Sequence, residues 1–490
     1  MKLKRNEKTG IFGGLIWSFG ERITAQLVSA IVGIILARLL MPEDYGVISI
    51  VFIFITICDI LVTSGFGTAL VQKQEASEKD FNTAFTMSLF MSVALYILLF
   101  FAAPLIARYY EREILDPVIK VLGVRVVITS VNNIQHAKIR REMAFRKFFF
   151  ATLIGTVISC LVGVVMAYSG FGVWALVAQY LTNSTIDTIA LFVADDWRPR
   201  ICYHKDSAAR IFSFGGRVLA TDMTYTILGS ISSFFVGKYF GASELAYYNE
   251  GGKYPSLIIS NIDSSIQEVM LPAYSRVQDE KEKLKEILKK SVKLGIYVVA
   301  PLMLGLLAIA DVFVDTVLTE KWEEMVPFIR IWCLIFLTRP FESSCHQAIL
   351  GRGRSDVTFR IILLINVVKF ALTMLAIFVL KNVLWVAIGV LVSTWVSIVC
   401  FSAKVKVLIG YRFGEQLVDV LPSLLLSALM GIAVYSLQYT ELRGVVLLLI
   451  QILTGAAVYV SLSVLFKLEP YIYLKNLLKE KLLKKNIPAD

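Results

Sequence analysis

The feature that most limits what this chain can become is a recurrence of apolar runs, about twenty residues or longer, parted by short charged segments. A helix of that length crosses the roughly 30 Å hydrocarbon core of a bilayer. It also satisfies its own backbone hydrogen bonds where there is no water to do so. The runs are continuous and do not alternate with period two, so helices rather than barrel strands are expected. Composition agrees: 57% of the 490 residues are hydrophobic and 18% are charged, against about a quarter charged in soluble chains.

The pattern predicts an all-α polytopic membrane protein with about 14 transmembrane helices. They fall near residues 11–40, 45–67, 83–107, 118–134, 148–168, 172–194, 211–240, 245–271, 292–314, 326–346, 357–380, 383–403, 417–439 and 444–466. Lys120 and Arg125 interrupt the fourth. With the N-terminus inside, the alternating inner segments carry 34 Lys and Arg and the outer segments 7. That asymmetry places both termini in the cytoplasm and makes this a multi-pass membrane protein. The net charge of +11 is therefore topological, and nucleic acid is not an expected partner.

Cys58, Cys160, Cys202, Cys333, Cys345 and Cys400 show no CxxC spacing, and most sit in apolar runs. Free thiols are expected. His136, His204 and His346 are scattered, so neither a metal site nor a cofactor is expected. Met1 to Gly10 is polar without a cleavage signature and leads into a retained first span. Two inner segments read as helical. Asp279 to Lys293 pairs Asp279 with Lys283 and Glu286 with Lys290 at i,i+4. Lys467 to Lys485 sets Tyr471, Leu474, Leu478 and Leu482 opposite its lysines, a design for lying on anionic membrane lipids.

An internal repeat organises the chain. Ser18-Phe19-Gly20-Glu21-Arg22 returns as Ser213-Phe214-Gly215-Gly216-Arg217, an offset of 195. Leu36 to Asp44 returns as Val236 to Glu244, an offset of 200. An even number of spans separates the copies, so they run in the same direction, as in parallel transporter repeats. The expected organisation is a six-helix lobe over 1–194, a second over 195–403, and two further helices with a basic tail over 404–490. A central cavity between the lobes is the expected substrate path.

Polar stripes run through several spans. Ser18, Arg22, Gln26 and Ser29 share one helical face, and Ser213, Arg217, Thr221 and Thr224 share another at the same spacing. The second span carries Thr56, Asp59 and Thr63. The sixth carries Gln179, Asn183 and Asp187, and the eighth Asn249, Lys253, Ser256, Ser260, Asp263 and Gln267. The eighth also holds Gly251-Gly252 and Pro255, which should break or bend it. Ionisable residues inside spans mark substrate or ion pathways. Arginine stays charged and offers a planar fork to phosphate oxygens. Arg22, Arg217, Gln26 and Lys253 are thus candidates for holding an anionic headgroup. Asp59, Asp263, Asp222 and Glu21 are candidates for ion coupling or for pairing with those cations.

Several stretches carry a family resemblance: Leu36 to Gly46, Asn82 to Phe85, Arg141 to Arg146, Gly172 to Leu176, Tyr247 to Asn249, Leu271 to Arg276 and Glu320 to Trp322. In this order and spacing the chain resembles the polysaccharide flippases of the multidrug/oligosaccharidyl-lipid/polysaccharide exporter superfamily. It is most similar to the subgroup exporting colanic acid, teichuronic acid and related repeat units. The resemblance implies alternating-access transport of an undecaprenyl-pyrophosphate-linked oligosaccharide through a cationic cavity, for lipopolysaccharide or exopolysaccharide biosynthesis. It also implies lipid-linked oligosaccharide and membrane lipids as partners, with a coupling ion (H+ or Na+) and polysaccharide polymerase machinery as further ones. A drug or small-cation exporter of the same superfamily would favour an acidic, aromatic cavity. A polymerase or ligase would need catalytic groups, usually on a large outer loop. The outer loops here are short, so an enzyme is not expected. Gly351-Arg352-Gly353-Arg354 lacks phosphate-loop spacing and reads as a basic turn.

Overall fold

The computed structural model describes residues 28–63, 66–67, 70, 76–141, 145–195 and 197–484. Among these residues no strand occurs. The helices are α1 (Val28–Leu39), α2 (Pro42–Thr63), α3 (Glu78–Tyr110), α4 (Leu115–Leu122), α5 (Val124–Arg141), α6 (Phe145–Tyr168), α7 (Val173–Ala194) and α8 (Lys205–Tyr239). They continue with α9 (Ala242–Arg276), α10 (Lys281–Phe313), α11 (Val326–Leu337), α12 (Arg339–Gly351), α13 (Ser355–Leu375), α14 (Val383–Ile409), α15 (Phe413–Ser436), α16 (Gly444–Leu465) and α17 (Glu469–Lys484). Among the described residues, 8 stretches are long and apolar enough to cross a membrane.

Local chemistry sets the ends of these helices. Ser77 and Asp80 form a reciprocal cap on α3, with the Ser77 backbone N–H and hydroxyl both donating to Asp80 Oδ2 at 2.9 and 2.8 Å. Asn382 caps α14, accepting from the Leu384 N–H at 2.8 Å. Gly410 closes α14 at φ 84°, a left-handed conformation that favours glycine.

Four expected boundaries are corrected. The fourth span is longer than 118–134: the apolar stretch is Leu115–Ile139, divided at Gly123. The span at 326–346 is two helices, because Pro340 has no N–H to give. Residues 279–293 are not a separate piece, since α10 begins at Lys281 and runs on into its span. The eighth span is unbroken at Gly251-Gly252 and Pro255. Its glycines allow close approach. A Cβ at Gly251 would lie 2.7 Å from Phe328 Cβ, and one at Gly252 would lie 3.0 Å from the Trp332 ring.

The chain forms two compact units, Met1–Ala246 and Tyr247–Asp490. In the first, α5 packs against α2, α3 and α7, while α6 and α7 form a hairpin. Helix α8, which the repeat assigns to the second lobe, packs on α2 and α3 within this unit. The segment before α8 is strapped across α3. The backbone N–H groups of Arg200, Cys202 and His204 donate to Asn82 Oδ1, Thr86 Oγ1 and Thr83 Oγ1 at 3.0, 3.0 and 3.3 Å. At the other end of the unit, Arg112 pairs with Glu43, and Lys238 with Glu111 at 2.8 Å. The hydrogen bond from Lys238 holds the exposed Glu111 carboxyl below its ordinary range.

In the second unit α10 is central, packed against α11, α12, α15 and α16. Its basic start is tied to the added C-terminal helices. Lys285 pairs with Glu415 at 2.7 Å, and Lys289 and Lys293 share Asp419 at 3.2 Å each. The expected tail helix is present as α17. Lys293 also reaches Glu469 at 2.6 Å, and Tyr471 and Leu474 pack against the core. All six cysteines are free.

Candidate functional site

The polar centre of the first unit is built on α5, which is far less apolar than its neighbours. Arg125 forms an ion pair with Asp59 of α2 at 2.6 Å, and its guanidinium lies 5.5 Å from the Phe52 ring centre. Both charged groups are mostly buried, with side chains 24% and 18% exposed. Asp59 therefore has a basic partner that the sequence reading did not name. One face further along, Asn132 Nδ2 donates to Asp187 Oδ2 at 2.6 Å, and His136 Nε2 lies 3.3 Å from the same oxygen. Thr152 of α6 donates to Asp187 Oδ1 at 3.4 Å. Asn133 donates to the Thr63 carbonyl at 3.2 Å. Sequence reasoning missed Arg125, Asn132 and His136 as a set. The signal was present: Arg125, Thr129, Asn132 and His136 are spaced 4, 3 and 4, one face of a helix.

The second unit has a matching centre. Ser343 of α12 donates to Asp263 Oδ1, and Gln267 donates to Asp263 Oδ2 at 3.1 Å. Gln347 donates to Gln267 at 3.5 Å. Glu342 accepts from Ser397 of α14 at 2.6 Å and lies 3.7 Å from Arg339. Asp263 is thus held by neutral donors, while Lys253 pairs with Glu250 one turn away at 2.8 Å.

The other sequence candidates are placed as follows. Glu21, Arg22 and Gln26 lie outside the described residues, as does the side chain of Arg217 on α8. Asp222 is half-buried on the same helix. Of the polar stripe around Arg217, Ser213, Thr221 and Thr224 are exposed. On α9, Ser260 and Gln267 are exposed. Both helices have 35 residues, roughly 52 Å, more than a bilayer core needs. Among the described residues, no three His, Cys, Asp or Glu side chains gather as metal ligands.

Spanning helices with a polar centre in each unit define a multi-pass α-helical membrane transporter. The chain belongs to the family described as "Polysaccharide biosynthesis protein", whose model matches residues 35–327, more than half of the sequence. It is 22% identical to the teichuronic acid biosynthesis protein TuaB of Bacillus subtilis, over 83% of this chain and 85% of that one. It is 23% identical to the lipopolysaccharide biosynthesis protein WzxC of Escherichia coli, over 87% of this chain and 88% of that one. Among solved structures it is similar in fold to the lipid II flippase MurJ in an inward closed conformation. There the TM-score is 0.71 and the identity 15%, covering 93% of this chain and 98% of that one. An inward-facing multidrug resistance MATE family transporter of the MOP superfamily gives a TM-score of 0.61 at 15% identity, covering 80% of this chain and 98% of that one.

Proposed function

We propose that this chain is a flippase that moves an undecaprenyl-pyrophosphate-linked oligosaccharide from the inner to the outer leaflet by alternating access, for surface polysaccharide biosynthesis. One observation carries the reading: α8 and α9 expose polar side chains (Ser213, Thr221, Thr224, Ser260 and Gln267) within membrane-length helices. Such groups avoid hydrocarbon, so these faces line a watery path. The names of the relatives, in teichuronic acid and lipopolysaccharide biosynthesis, supply the substrate class.

In this reading Arg22, Arg217, Gln26 and Lys253 hold the headgroup in a cavity between a lobe of 1–194 and a lobe of 195–403, with 404–490 appended. Arg22 and Arg217 neutralise the pyrophosphate that hydrocarbon would reject. Asp263, which accepts from the Ser343 hydroxyl and the Gln267 amide, is the better candidate for binding a coupling H+ or Na+. Asp59 is engaged by Arg125. Both termini lie in the cytoplasm, as the Lys and Arg distribution requires. Polymerase machinery would receive the flipped repeat unit, and the chain itself performs no bond chemistry.

Deletion of the gene tests this. The deletion strain accumulates lipid-linked repeat units in the inner leaflet and loses one surface polysaccharide. Normal polysaccharide with altered drug tolerance would overturn the flippase reading in favour of a drug exporter.

A further inference from the structure

Lys293 is the last charged residue before the apolar run of α10, which meets no further charge until Asp311. Phe466 ends the apolar run of α16, which holds no charge from Gly444 on, and Lys467 and Glu469 follow it. Charged groups stay out of hydrocarbon, so both runs reach the membrane surface at these points. The two points are level, because Lys293 Nζ and Glu469 Oε2 meet at 2.6 Å. Lys467, at a left-handed φ of 47°, turns the chain there from α16 into α17. A cleft opens in the corner between α10 and α17. Lys290, Lys293 and Leu294 line one wall, and Glu469, Pro470 and Tyr473 line the other.

One face of α10 changes character at this cleft. Glu286, Lys290, Leu294, Val298 and Leu302 recur at i,i+4. Glu286 and Lys290 are exposed and charged, whereas Val298 and Leu302 are exposed and apolar. Opposite them, Leu465, Phe466 and Tyr473 are exposed as well. A polar cleft that opens onto an apolar track has the layout of a phospholipid, with the headgroup in the cleft and the chains along the track.

The charges select the headgroup. Lys290 pairs with Glu286 at 2.6 Å, and Lys293 shares Asp419 at 3.2 Å in addition to Glu469. Three carboxylates thus face two lysines, and a headgroup with negative charge alone meets net repulsion. A headgroup with both signs meets partners for each. Lys290 and Glu469 are 55% and 67% exposed, so their present ion pairs are weak and exchange readily. An ethanolamine ammonium carries three N–H donors for a carboxylate, as a lysine ammonium does, and a choline carries none.

We propose that the cleft between α10 and α17 binds a resident phospholipid with an ethanolamine headgroup. Its phosphate lies on Lys290 and Lys293, its ammonium on Glu469, and its chains along Leu294, Val298 and Leu302. The site is independent of what the protein transports.

The test titrates the full-length protein in detergent with phosphatidylethanolamine, phosphatidylcholine or phosphatidylglycerol of the same acyl chains, read by native mass spectrometry. The ethanolamine lipid should bind about tenfold tighter than the choline lipid, the difference expected for one charge-assisted hydrogen-bonding partner. Successive N-methylation of the ethanolamine should weaken binding stepwise, since each methyl removes a donor. E469Q should erase the preference, and K290Q should weaken both lipids by about threefold, because the phosphate is common to both. Equal binding of the ethanolamine and choline lipids by the parent would overturn the proposal. So would phosphatidylglycerol binding as tightly as the ethanolamine lipid, or an E469Q variant that keeps the preference. An E469Q variant that weakens every lipid alike would show Glu469 to be structural and overturn it too. Displacement of the ethanolamine lipid by equimolar undecaprenyl phosphate would make the cleft a substrate contact and overturn the assignment. Should E469Q not assemble, the methylated series on the parent protein and K290Q decide by the same criteria.

Discussion

Asn132 Nδ2 and Asp187 Oδ2 meet at 2.6 Å between α5 and α7, and Ser397 Oγ and Glu342 Oε1 meet at 2.6 Å between α14 and α12. Positions 132 and 187 become 342 and 397, an offset of 210 for both. The two units thus repeat one interhelical tie with its chemistry exchanged. In the first unit the carboxylate is on the later helix, and in the second it is on the earlier one. Asn133 bonding to Thr63, and Ser343 to Asp263, extend the correspondence.

Removing either member of this tie should loosen its own unit. D187A leaves the Asn132 amide and the Thr152 hydroxyl without their acceptor, and each stranded buried donor costs about 1–3 kcal/mol. A double-mutant cycle of N132A and D187A, read by thermal unfolding in detergent, should show coupling of about 0.5–3 kcal/mol. Additive losses would mean that the two side chains are merely neighbours.

The strap before α8 has its own signature. Thr83 and Thr86 each donate their hydroxyl proton to a carbonyl one turn back, Lys79 at 2.7 Å and Asn82 at 2.8 Å. Each keeps a lone pair for the strap. T83V and T86V preserve shape and remove those acceptors. Each should destabilise the strap by about 1 kcal/mol. Hydrogen exchange at the amides of Cys202 and His204 should accelerate accordingly. Unchanged protection would show that other contacts hold the segment.

How much of this was legible beforehand depends on the kind of residue. Apolar runs revealed nearly every helix, because length and hydropathy decide what can cross a bilayer. The break at Thr338 was hidden, since apolar residues flank Arg339-Pro340 on one side and the pattern resumes on the other. Gly251 and Gly252 do not break α9, and their close contacts with Phe328 and Trp332 depend on residues more than seventy positions away, which no local pattern shows. Asp59 was found as a charge inside a span, but its partner Arg125 is 66 positions away. No local pattern joins them. Asn82 and Thr83 stood in a resemblance motif, and their role appeared only when the strap was seen to lie on them.

The Asp59–Arg125 pair should behave as a structural ion pair. D59N or R125Q alone strands a mostly buried charge, with a loss of about 3–5 kcal/mol expected for a broken buried pair. Membrane abundance should fall for either variant. The double variant D59N/R125Q should recover most of it, because no lone charge remains. A double variant with normal abundance but no export would instead give Asp59 or Arg125 a direct part in transport.

Arg22 and Arg217 should show the opposite pattern if they hold the headgroup. R22A or R217A should abolish export while the protein remains folded and inserted. R22K or R217K should keep part of the activity, since charge remains while the bidentate fork is lost. A structural role predicts lower abundance instead, restored by neutralising the carboxylate partner. Asp59 already pairs with Arg125, so Glu21 and Asp222 are the partners to neutralise, as E21Q and D222N. Rescue of both abundance and export by such a double variant would remove that arginine from the headgroup site. The stripes match at an offset of 195, so the two positions should respond alike. If R22A blocks export and R217A does not, the symmetric arrangement of the cavity fails, even where deletion of the gene still stops export.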